Sequence, residues 1–160
     1  MSRILNLELF DSERFKQIED PTDVQLWECI VDGELDGLPE SVKEIIESDI
    51  ILDYKTCGFI DAMLSDIEEP VSEEYEADRS LLVGLLNNIS EDNGRLTEKF
   101  NQEPHYFGYL TLEETKDLIK ILTNLPEELD EGWVHEFKDT LLIVAQKAVQ
   151  KNLGLIHWAL

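Results

Sequence analysis

The chain has 160 residues, 42% of them hydrophobic, and sets 36 acids against 13 bases for a formal charge of −23. That length and apolar content suit one domain with a sizeable core and exclude bulk disorder. A surplus of negative charge on this scale is repelled by nucleic-acid phosphates and anionic membrane surfaces, which disfavours both as partners and favours a basic protein or a cation.

Residues 3–10 alternate, with Leu5, Leu7 and Leu9 on one side and Asn6 and Glu8 on the other, the period of a half-buried strand. Asp11 or Ser12 caps a short helix through Ile18. Pro21 reads as a first-turn proline before Val24, Leu26, Trp27, Ile30 and Val31, and Pro39 stands likewise before Val42, Ile45 and Ile46. Helical spacing returns over Gly58–Ile67 and again over Ser72–Ile89, whose acidic first half favours a helix N-terminus. Ser90 to Pro104 is polar and reads as the longest loop.

His105 to Leu110 is aromatic and predicts a third strand. Thr111 with Glu114 three residues on is a capping box, opening a helix that buries Thr115, Leu118, Ile119 and Leu122. The last helix, 132–151, carries Trp133, Phe137, Leu141, Val144 and Ala148 as a core stripe. Gly154 stops it before a final strand in which Ile156, Trp158 and Leu160 face one way and Leu155 and His157 the other. The expected fold is α+β and mainly helical, with a small sheet from the N- and C-terminal strands packed on helices in a single domain over 1–160. The alternative is an all-α bundle with extended ends.

The acids are concentrated: residues 19–78 hold 20 of them against Lys43 and Lys55 alone. Within that segment Glu68, Glu69, Glu73, Glu74, Glu76 and Asp78 are the candidate partner-binding residues, weighed against a merely solubilising surface. Cys29 and Cys57 match no zinc spacing and no disulfide framework. No signal peptide is visible, and no window approaches the ~18 consecutive apolar residues of a membrane span, so a reducing cytoplasm is the expected location.

Few motifs carry chemistry. Asp32, Glu34 and Asp36, with Gly37 at the sixth position, imitate a calcium loop, but Pro39 falls at the eighth position and Lys43 at the twelfth, where a bidentate glutamate is required. A second near miss around Gly94 has Ile89 and Phe100 at its end positions. His105, His135 and His157 share no metal spacing. Cys57 with His105 has no local signature of a nucleophile and base. Phosphate loops, nucleophile elbows and zinc-protease motifs are absent from the sequence. No catalytic residue, metal or cofactor is expected.

The run Gly108-Tyr109-Leu110-Thr111 followed by Glu113-Glu114, the segment Cys57-Gly58-Phe59-Ile60-Asp61-Ala62-Met63-Leu64 and the exit from Ala148 to Leu155 resemble a bacterial domain-of-unknown-function family. The resemblance implies a bacterial cytoplasmic origin and transfers no functional residue.

Three functions compete on this reading. The first is an acidic, non-enzymatic interaction module, of the immunity or antitoxin type, that masks a basic partner. The second is a small-molecule binder or enzyme with a pocket around His105, Tyr106 and Tyr109, joined by Cys57 or His135. The third, ranked last, is a calcium-responsive protein using Asp32, Glu34 and Asp36.

Overall fold

The computed structural model describes residues 5–31, 59–69, 71–102 and 104–159. The alternating N-terminal segment is β1, Leu5–Phe10. Asp11 then caps α1, Ser12–Lys16, by accepting the Arg14 N–H. Helix α2, Asp23–Glu28, begins from a capping box in which Thr22 and Gln25 satisfy each other's backbone N–H groups. Pro21 therefore lies before the cap, outside the first turn.

The predicted helix stops earlier than its apolar spacing suggests. Ile30–Val31 form β2, paired to Phe10 and Leu9 of β1, and the Asp11 N–H donates to the Cys29 carbonyl at 2.8 Å. Apolar spacing alone cannot separate two more helical residues from the start of a strand. Here the edge of β1 supplies the hydrogen bonds that decide it.

Helix α3 spans Phe59–Asp66, and a 3-10 turn at Glu73–Tyr75 leads into α4, Glu76–Asn87. The aromatic run is β3, His105–Leu110. The capping box of Thr111 and Glu114 opens α5, Leu112–Thr123, as its sequence predicts. A second 3-10 turn, Glu127–Leu129, precedes α6, Gly132–Gln150, and β4 follows at Gly154–Ala159.

The four strands form an antiparallel sheet in the order β2-β1-β4-β3. β1 and β4 are its central pair, in register from Leu5 opposite Ala159 to Phe10 opposite Gly154. The architecture is α+β and mainly helical, and this continuous pairing excludes the all-helical alternative.

Both faces of the sheet are covered. Leu7, Leu9, Phe107 and Leu155 meet α3 to α6 through side chains such as Met63, Leu86, Leu118 and Phe137. On the other face Phe10, Tyr106, Ile156 and Trp158 meet Phe15 of α1, Leu26 of α2, and Leu96 and Phe100. That second layer corrects two expectations. Asn6 and Glu8 are buried, not solvated. The polar stretch after α4 is not a free loop, because it buries Leu96 and Phe100 and donates the Leu96 N–H to the Phe107 carbonyl at 2.9 Å.

Two smaller differences concern helix faces. Ile121 replaces Ile119 among the buried residues of α5, and Trp133 is exposed at the start of the α6 stripe. His157 lies fully in the core, its Nδ1 2.7 Å from the Ile89 carbonyl oxygen.

Gly84 sits inside α4 with nothing within 4 Å of where a Cβ would lie. Glycine in a helix interior loses backbone entropy for no packing gain. Gly84→Ala is thus expected to stabilise the fold by ~0.5–1 kcal/mol, seen as a higher urea midpoint at unchanged slope. A lowered midpoint would contradict the open space at this position.

Candidate functional site

The acidic candidates occupy one short stretch of chain. Glu68 and Glu69 follow α3, Glu73 and Glu74 lie on the first 3-10 turn, and Glu76 and Asp78 stand in the first turn of α4. The first four are exposed and the last two half-buried. Acids in a helix's first turn are favoured by its dipole, which accounts for the local placement of Glu76 and Asp78.

A second acidic segment, outside these six residues, joins them. Ser72 donates its hydroxyl to Glu128 Oε1 at 2.7 Å and its N–H to Glu128 Oε2 at 3.2 Å. These bonds hold the exposed Glu128 carboxyl below the usual range. The Trp133 N–H donates to Asp66, tying the start of α6 to the end of α3. Residues 66–78 contain seven acids and residues 127–131 four, with no base in either. The contacts therefore bring both runs together where α3 ends and α4 and α6 begin, the acidic end of this group of helices.

Two cations beside this region, Arg79 and Lys138, are engaged. Arg79 donates to the Glu68 and Glu69 carbonyls, both at 3.2 Å, and pairs with Glu76 at 3.7 Å. Lys138 and His135 both bind Asp130. The Lys138 hydrogen bond leads the causes that hold the Asp130 carboxyl low. Trp133, 39% exposed and stacked on Phe137 with ring centroids 5.4 Å apart, borders this acidic end.

The aromatic candidates do not converge. Tyr106 is buried between Phe100 and Trp158, and burial pushes its hydroxyl up to about 12, with Asp23 and Glu8 adding to the effect. Tyr109 is half-buried against Phe10 and Phe15, with ring centroids 5.3 Å apart in each case. His105 stacks on Phe107, which belongs to the core on the opposite side of the sheet from both tyrosines. His135 is bound to Asp130 at 2.9 Å. Cys57, Asp32, Glu34, Asp36 and the helix expected after Pro39 lie outside the described residues.

Among the described residues Arg95 makes the most developed polar cluster. Both its Nη atoms reach the Glu114 carboxylate at 2.5 Å, and its guanidinium lies 5.1 Å from the Tyr109 ring centroid. Glu114 also accepts from the Thr111 N–H and from Asn88 Nδ2. Burial alone would raise this carboxyl, but Arg95 and Thr111 outweigh it and hold it below its usual range. The cluster ties the segment after α4 to β3 and α5. Tyr109 and Glu114 are both prominent in the sequence, but nothing there announces Arg95 as their partner.

Among the described residues no group of three or more His, Cys, Asp and Glu side chains is arranged to hold a metal, and no helix is long and apolar enough to cross a membrane. No family model matches the chain, and neither a curated protein nor a solved structure matches it.

Proposed function

We propose that the chain is a non-enzymatic interaction module that docks a basic protein through its acidic end. The observation that carries this reading is the junction of segments 66–78 and 127–131 by the Ser72–Glu128 and Asp66–Trp133 contacts. It builds a field of carboxylates in which Arg79 and Lys138 are already engaged. Such a field draws a positive surface in and makes the encounter salt-sensitive. A nucleic-acid-binding protein, including a toxic nuclease whose basic groove would be masked as by an immunity or antitoxin protein, is the partner class with the matching charge. The buried thiol of Cys29, pushed up by burial, fits a reducing cytoplasm.

The test compares the parent chain with a variant carrying Glu73→Lys, Glu74→Lys, Glu127→Lys and Glu131→Lys, all exposed positions. Both are used as bait in a lysate of the source cells at about 50 mM and about 500 mM salt. The parent is expected to retain a basic protein at low salt and to release it at high salt, while the variant retains none of it. Equal retention by the two baits, or no basic protein on the parent at low salt, would overturn the reading.

A further inference from the structure

A groove of about 280 Å³ lies between α4 and α5, lined by Asp78 and Leu81 of α4, by Asp117, Lys120 and Ile121 of α5, and by Asn124 just beyond it. The spacings 78/81 and 117/120/121/124 put each set on one helix face. Ile121 is buried, whereas Leu81 leaves 45% of its surface in water. Neither Asp78 nor Asp117 forms a salt bridge with any described residue.

The groove thus joins apolar surface to two carboxylates and one ammonium group, a net negative lining, and it continues the acidic end through Asp78. Its volume suits one or two side chains and stands at the lower edge of the small-molecule range, which begins at about 300 Å³. The carboxylates oppose an anionic occupant, while an apolar group flanked by cations satisfies both kinds of lining. Lys120 repels a cation placed beside it, so the occupant's charges belong next to Asp78 and Asp117. Resting on the interaction reading above, we infer that this groove seats an apolar side chain of the basic partner, with Lys or Arg on either side of it paired to Asp78 and Asp117.

Two synthetic peptides test the assignment against the full chain. One, of about fifteen residues, is built of lysine and leucine with the leucines on one helical face; in the other every leucine is serine, at the same charge. Affinities are measured by fluorescence anisotropy at about 50 mM salt. The Lys/Leu peptide is expected to bind about tenfold more tightly than the Lys/Ser peptide. Leu81→Ser, at an exposed position, is expected to erase that difference. Equal binding of the two peptides to the parent, or a preference that survives in Leu81→Ser, overturns the groove assignment and leaves the acidic-end reading standing. No binding of either peptide at low salt overturns both.

Discussion

Gly108→Ala is expected to cost about 3 kcal/mol or more of folding stability, since the added methyl cannot be accommodated by rotating a side chain. A Cβ at this position would lie 1.9 Å from the Asn88 carbonyl oxygen and 2.9 Å from the Arg95 amide nitrogen. Both obstacles are backbone, and they are already hydrogen-bonded to each other at 3.1 Å. Making room means moving the segment after α4 off β3. That movement strains the Leu96–Phe107 hydrogen bond, the Arg95–Glu114 pair and the burial of Leu96 and Phe100. Gly94 meets the same limit from the other side, its Cβ falling 2.0 Å from the Phe107 carbonyl oxygen. Chemical denaturation of Gly108→Ala beside Gly84→Ala gives the contrast, with opposite signs from the same chemical change. A Gly108→Ala midpoint equal to the parent's would refute the close approach.

The second large effect concerns Asp61 and pH. Its carboxyl accepts the Glu91 N–H at 3.0 Å in a largely enclosed place on α3. Burial pushes it up to about 6, aided by Asp92 and opposed by the backbone N–H groups of Glu91 and Asp92. An unfolded aspartate titrates near about 4. Between about 4 and 6 the folded chain therefore holds a proton that the unfolded chain has released, and stability falls as pH rises through this window. Above it the penalty of keeping the anion enclosed is complete, on the order of 2 kcal/mol after allowance for the water that still reaches the group. Asp61→Asn keeps an oxygen for the Glu91 N–H and removes the charge. It is expected to be more stable than the parent by about that amount at pH 8 and nearly equal to it at pH 4. Comparing variant with parent at each pH cancels the titration of the other acids. A difference that does not change with pH would disprove the assignment.

Much of the fold is legible in local signals. The Thr111–Glu114 capping box, the stripe from Phe137 to Ala148 and the alternation at both ends each have a local cause, and each leads to the element observed. What alternation cannot convey is the number of layers. Asn6 and Glu8 look solvated because polar residues opposite leucines usually are, yet α1, α2 and the Leu96–Phe100 segment cover that face. Burial of Leu96 and Phe100 is likewise hidden, since two apolar residues in a polar stretch have no period. The Thr22–Gln25 capping box is written in the sequence beside Pro21, a residue that by itself suggests a helix beginning earlier.

The candidate site divides the same way. The charge of residues 68–78 is a matter of composition and is visible at once. Its neighbourhood with 127–131 depends on contacts spanning 56 and 67 residues of sequence, which no local pattern encodes. The facing of α4 and α5 across a groove depends equally on tertiary packing. His105 and Tyr106, adjacent in the sequence, end on opposite sides of the sheet because a strand alternates, so closeness in sequence overstated their convergence.

The placement of β1 beside β4 sets the order in which the molecule can assemble. The two central strands come from opposite ends of the described chain, so neither can be sandwiched between partners until nearly everything between them has been made. Local helices such as α5 and α6 can gather while synthesis is under way, but β1 must wait with one hydrogen-bonding edge unpaired until β4 emerges. Closing so long a loop is slow relative to local contacts. The acids that crowd the intervening chain then serve a second purpose, keeping an unfinished chain apart from its neighbours during that wait.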